Sequence, residues 1–179
     1  MKSKNLKPSR LFIISFIWKL LPPSRCFKLK AATLRWAGAV VGKDVRIMSS
    51  AKFLGDYELI IGDHVFIGHE ALIYGSAGSK VVLENHCKVA SRAIIATGYH
   101  VYSAKGPCVS GEGLTADVVI KEGALVGTMA MVLPGKTLGK MSHVAAYGLL
   151  THDTPDYVRV AGVPARIVKN YLEDVDEEA

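Results

Sequence analysis

"LTADVVIKEGALVGTMAMVLPGKTLGKMSHVAAYGL", residues 114–149, returns an aliphatic residue at every sixth position: Leu114, Ile120, Val126, Val132, Leu138 and Val144. That beat fits neither an α-helix, with a period of about 3.6, nor an isolated strand, with a period of about 2. It fits a prism of short parallel strands, one strand per face and a turn at each corner. The aliphatic residue points inward and stacks on its equivalent in the next coil. Three blocks make one coil of 18 residues.

The beat extends upstream through Ile61, Ile67 and Ile73, and again through Leu83, Val89 and Ile95. A small or modest residue recurs four places after each aliphatic, at Val65, Ala71, Cys87, Ala93, Ala124, Ala130 and Ser142, as a crowded interior requires. Two interruptions stand out. "GSAGSK" inserts a four-residue bulge between Ile73 and Leu83, and "VYSAKGPCVSGEG" (residues 101–113) leaves the prism as a projecting loop. Irregular loops on a rigid scaffold are where function concentrates, and His100 stands beside this one.

Stacked repeats need caps at their ends. "LFIISFIWKLL" (residues 11–21) predicts a helix packed on its own domain. Its apolar run is too short to cross a bilayer, and weak peripheral membrane contact through residues 1–21 is the alternative. "FKLKAATLRWAGA" (residues 27–39) has apolar residues at helical spacing and caps the amino-terminal end. "PARIVKNYLEDV" (residues 164–175) predicts a short helix, followed by an acidic tail. The organisation is therefore a helical segment and cap over residues 1–40, a β-helix over 41–155 and a carboxyl-terminal segment over 156–179.

Half of the 179 residues are hydrophobic, which excludes a disordered chain. The formal charge of +6 is uneven, with ten Lys or Arg and no acid in residues 1–43. No helix-turn-helix, zinc-finger or interleaved basic–aromatic pattern accompanies it, so nucleic acid is not the expected partner. Cys26, Cys87 and Cys108 show no metal-ligand spacing and predict reduced thiols in a reducing compartment. His64 and His86 hold equivalent places in their hexads and are expected to stack on the surface, and no metal is expected. Neither paired carboxylates nor an HExxH motif is present.

The chain resembles the hexapeptide-repeat acetyltransferases, and is most similar to those that acetylate sugars and polysaccharides. Three stretches carry the likeness: the hexads from Val41 to Leu150, "IIATGYH" (residues 94–100), which resembles a TGxH segment, and "THDTPDYVRVAGVPARIV" (residues 151–168). The resemblance implies an all-β fold, a single-stranded left-handed parallel β-helix assembled as a homotrimer with sites between subunits. It implies acetyl-CoA as cosubstrate, a sugar or glycan acceptor, and His100 as general base in direct transfer. Gly127, Thr128 and Ala146 would serve the thioester and pantetheine arm, Thr151 and His152 the nucleotide end, and Arg166 and Lys169 the phosphates. The location implied is cytoplasmic or at the inner face of the membrane. Val101 stands where the sugar enzymes often carry aspartate, Leu125 where an aromatic is frequent, and His152 where lysine is usual. Serine, an amino-sugar amine or a xenobiotic hydroxyl are alternative acceptors, and a non-catalytic β-helical scaffold is the alternative class.

Overall fold

The inward aliphatics form three continuous ladders. A computed structural model describes residues 5–173. Val41, Ile61, Leu83, Ile120 and Leu138 stand in register on a first face. Ile47, Ile67, Val89, Val126 and Val144 do so on a second, and Phe53, Ile73, Ile95, Val132 and Leu150 on a third. Every one is buried, as are the small residues expected inside, from Val65 and Ala71 to Ala130 and Ser142. Neighbouring coils share parallel backbone hydrogen bonds, so the prism's own coils satisfy the main chain of their neighbours.

The 18-residue repeat holds only for the last full coils, where Val119 pairs with Thr137 and Leu125 with His143. Earlier pairings are wider, with Ile61 on Leu83 and Leu83 on Ile120. All the extra residues leave at one corner, between the third and first faces. There they build a polar plug. The buried Tyr57 donates its hydroxyl to the Ile73 carbonyl at 3.0 Å, and Ser79 Oγ lies 2.7 Å from Thr97 Oγ1. Gly75 is required at this corner, because a Cβ would meet Thr97 Oγ1 at 2.4 Å and the Tyr57 ring at 2.8 Å.

The largest extra segment stands on this plug. It is a two-stranded antiparallel arm, Gly98–Tyr102 against Ser110–Thr115, and not a loop confined to residues 101–113. Its base is closed by Ala116 N–H donating to the Thr97 carbonyl at 2.9 Å. A chain leaving the prism loses its coil partners, and its two limbs pair with each other instead. Leu114 keeps the six-residue beat but lies on the arm opposite Tyr99, exposed. The prism resumes at Val118–Ile120.

The amino-terminal end is closed by two helices, α1 (Pro8–Lys19) and α2 (Phe27–Ala37). Pro8 suits the first turn of α1, where its missing N–H costs nothing. Leu11, Ile14 and Trp18 of α1 and Ala31, Leu34 and Ala37 of α2 are buried. Trp18 meets Phe53 edge to face with ring centroids 6.0 Å apart. Lys30 is fully buried and donates to the carbonyls of Pro23 at 2.9 Å and Ile47 at 3.0 Å. Burial holds its pKa below the ordinary lysine value.

The short helix expected over residues 164–175 does not form. Val158–Gly162 instead adds to the second face beside His143–Val144, and Ala165–Asn170 folds back on it antiparallel. The last coil presents an open edge of N–H and C=O groups, and a hairpin satisfies that edge where a helix would not. Its β-branched Ile167 and Val168 suit a strand equally well. The acidic tail beyond Glu173 lies outside the described residues.

Candidate active site

His100 sits on the first strand of the arm, with its Cα opposite Gly113. A register shift in the partner strand brings the Gly111 carbonyl to 3.1 Å from His100 Nδ1. A carbonyl only accepts, so Nδ1 is the donor, and in the neutral imidazole this tautomer places the lone pair on Nε2. The side chain is exposed, and Gly113 places no atom over the ring. Val101, in the position where aspartate is frequent, takes no part in holding the imidazole; the backbone of Gly111 does that. No motif in the sequence pointed to Gly111, because the contact depends on the shifted register.

Gly127, Thr128 and Ala146 lie at the corner between the second and third faces. Coils touch there: a Cβ on Gly127 would come within 2.5 Å of the Val144 carbonyl oxygen. Thr128 and Ala146 are exposed one coil apart. Tyr147 N–H donates to the Thr128 carbonyl at 3.0 Å, and Met129 and Tyr147 take left-handed φ values of 57° and 61° to make the bend.

The stretch from Thr151 onward caps the last coil. Asp153 Oδ1 accepts from Thr137 N–H at 2.8 Å, Thr154 Oγ1 from Gly139 N–H at 2.8 Å, and Asp156 Oδ1 from Lys140 N–H at 2.7 Å. The last bond, with the nearby Lys121 ammonium, holds the Asp156 carboxyl below its ordinary range. Much of this recognisable ending is thus structural. Thr151 and His152 remain at the corner that carries the arm, with Thr151 Oγ1 2.8 Å from His152 Nδ1.

Arg166 and Lys169 project from the terminal hairpin, both exposed. Arg159, which the sequence reading did not single out, pairs with Lys169, and Ala161 pairs with Arg166. Opposed residues of an antiparallel pair share a face, as do alternate residues of a strand. The three cations therefore stand on one side of the hairpin. The alternation in "VRVAG" was the available signal for Arg159. Beside them His143 is held below the ordinary histidine value, first by burial and then by the Arg159 charge.

The expected site residues accordingly form three groups on one chain. His100, Thr151 and His152 occupy one corner, Gly127, Thr128 and Ala146 another, and Arg166 and Lys169 the edge of the second face. A face about six residues wide, at roughly 3.3 Å each, separates the corners. One chain does not bring His100 into hydrogen-bonding reach of Thr128.

His64 and His86 stack as expected, with centroids 4.8 Å apart and planes 11° from parallel. Among the described residues no group of three or more His, Cys, Asp or Glu is placed to hold a metal ion.

No protein-family model matches the chain. WcaF of Escherichia coli, which is named as a colanic acid biosynthesis acetyltransferase, is 25% identical over 158 residues, covering 88% of this chain and 82% of WcaF. A hexapeptide-repeat acetyltransferase of Vibrio cholerae, solved with acetyl coenzyme A, superposes with a TM-score of 0.74 at 22% identity, covering 92% of this chain and 86% of that one. The chain is thus similar in sequence and fold to the hexapeptide-repeat acetyltransferases. A maltose O-acetyltransferase of Clostridium difficile shares the fold at a TM-score of 0.65 and 16% identity, over 91% of this chain and 85% of its own. The family's left-handed parallel β-helix is the scaffold described above, with its amino-terminal helices and without the terminal helix that the sequence suggested.

Proposed function

We propose that this protein transfers the acetyl group of acetyl-CoA to a sugar hydroxyl in the assembly of a surface polysaccharide or glycoconjugate, with His100 as the general base. The observation that carries the proposal is the Nδ1–H bond from His100 to the Gly111 carbonyl, which orients the ring and, in the neutral imidazole, makes Nε2 the accepting nitrogen on an exposed arm. A sugar hydroxyl is too weak an acid to attack a thioester unaided, and an imidazole within reach removes that obstacle. Nε2 accepts the hydroxyl proton as the oxygen bonds to the thioester carbon. Collapse of the tetrahedral centre breaks the C–S bond, and the same imidazolium returns its proton to the departing thiolate. Gly127, where two coils pack closely, would direct a neighbouring amide toward the developing oxyanion.

Coenzyme A is a long molecule with phosphates at one end. Thr128 and Ala146 would line its arm, Thr151 and His152 would approach the nucleotide, and Arg166 and Lys169, with Arg159 beside them, would meet the phosphates. The distance between corners within one chain supports a homotrimer, in which the arm of one subunit faces the corner of the next across a shared groove. The acetyl-CoA complex of the Vibrio relative and the colanic acid assignment of WcaF support the cosubstrate and the acceptor class. Unpaired cysteines and the cosubstrate fit a cytoplasmic setting. Among the described residues no helix is long and apolar enough to cross a membrane.

The test is His100→Ala and His100→Asn on purified protein with acetyl-CoA and a defined sugar acceptor, following thiol release and the acetylated product. Turnover is expected to fall by roughly 10²- to 10⁴-fold, with the fold and acetyl-CoA binding retained. His100→Asn at wild-type turnover, with chemistry rate-limiting, would overturn the base assignment.

A further inference from the structure

The helix α1 is apolar on two opposite sides. Leu11, Ile14 and Trp18 are buried against the first coil, while Phe12, Phe16 and Leu20 stand 77%, 65% and 77% exposed. These three recur every fourth residue and share one stripe, and Ile13 beside them is also exposed. A cap alone requires only the first side. A helix apolar all round is ordinarily covered all round, and aromatic stripes of this kind mark interaction surfaces.

The stripe borders a groove of about 340 Å³ between α1 and the third-face strand Lys52–Gly55. Phe12, Trp18, Phe53 and Leu54 line its apolar walls, and Lys19 and Lys52 stand among its lining residues. The groove carries net positive charge. Lys19 and Lys52 are exposed, Lys7 stands exposed at the start of α1, and the acid within reach of Lys52, Glu70, is paired with Arg92 at 2.6 Å.

We propose that this face docks the protein on an anionic phospholipid bilayer, with Phe12, Phe16 and Leu20 inserted among the acyl chains. Lys19 and Lys52 would contact lipid phosphates at the mouth of the groove. Charge decides the occupant. A second copy of the same face would bring cations against cations, whereas a layer of anionic headgroups over acyl chains complements both the basic border and the apolar stripe. At 12 residues and a rise of about 1.5 Å per residue, the helix is far too short to span a bilayer and lies along its surface. The helix then serves as cap and anchor at once, through different sides. This inference does not rest on acyl transfer.

The test is flotation of the full chain with vesicles of phosphatidylcholine alone and of phosphatidylcholine with about one third phosphatidylglycerol. The protein is expected to float with the anionic vesicles, at least about tenfold less with neutral ones, and less at high salt. Phe12→Ser/Phe16→Ser/Leu20→Ser is expected to lose at least about tenfold in binding with an unchanged melting temperature, because these side chains already face solvent. Lys19→Glu/Lys52→Glu provides a second variant that leaves the apolar stripe intact and is expected to weaken only the anionic binding. Failure of the wild type to float with anionic vesicles overturns the proposal, as does undiminished flotation of both variants. Dissociation of the native oligomer by the triple-serine variant, seen by sedimentation, would assign the stripe to a second copy and overturn it too.

Discussion

Replacing Gly111 by alanine tests the orientation of His100 without touching any side chain of the site. Gly111 has no left-handed φ, so alanine meets no backbone penalty there. The obstacle is contact: a Cβ built on Gly111 lies 2.8 Å from the Val101 carbonyl oxygen. Relaxing that approach to ordinary contact at 3.4 Å parts the two strands by about 0.6 Å. The same displacement along the line from His100 Nδ1 to the Gly111 carbonyl turns a 3.1 Å bond into a gap near 3.7 Å, too long for a hydrogen bond. The imidazole then loses both its tautomer preference and its fixed direction. Misplacement of a reacting group by a fraction of an ångström to an ångström costs roughly 10- to 100-fold in rate. The assay is thiol release under saturating acetyl-CoA and acceptor, with the KM for acetyl-CoA expected to stay within about twofold because Thr128 and Ala146 lie at another corner. Gly113→Ala is the matched control, since its Cβ would sit 3.5 Å from His100 Cε1, an ordinary contact. Gly111→Ala added to His100→Ala should cost nothing further, because the bond it breaks is already gone. Full turnover in Gly111→Ala, or equal losses in the two glycine variants, would refute the reasoning.

Arg166→Ala/Lys169→Ala is expected to raise the KM for acetyl-CoA more than that for the acceptor, since phosphate contacts lie remote from the reacting carbon; adding Arg159→Ala should deepen the same effect, read from steady-state kinetics. Ser142→Ala removes a buried hydroxyl that accepts from Val158 N–H at 3.0 Å and donates to the Pro155 carbonyl at 2.8 Å. Orphaning these groups should cost about 1–3 kcal/mol, measured by urea denaturation, and speed hydrogen exchange in the terminal hairpin. Cys87 donates to the carbonyls of Ile120 and Lys121, and burial pushes its thiol up to about 12. Alkylation of the native protein at neutral pH should therefore label Cys26 and Cys108 and spare Cys87 until unfolding. Because the folded thiol keeps its proton where the unfolded one, with an ordinary pKa near 9, has lost it, the Cys87 contribution to stability should fall as pH rises from about 9 toward 12.

The sequence by itself determined the solenoid. An aliphatic every sixth residue and a small residue four places on are local demands repeated many times, and the same inward position recurs in each coil with the same steric consequence. Ile61, Val89 and Val132 were legible for that reason, and so was the departure of the chain near His100. What happens where the repeat stops depends on which edges remain unsatisfied, and that is a property of the assembled prism. "ARIVKN" became a strand because the last coil offers an open edge beside Val160, although its spacing also suits a helix. The residues around Tyr57, Ser79 and Thr97 are far apart in sequence, and only closure of the coils places them at one corner as the footing of the arm. Lys30 is buried because the carbonyls of Pro23 and Ile47 converge on it, and no local pattern foretells that convergence. The orientation of His100 belongs to the same class. Its partner is a carbonyl eleven residues on, brought opposite by a shift in strand register. A residue's type fixes what bonds it can make, and the tertiary arrangement of backbone groups decides which of them it does make.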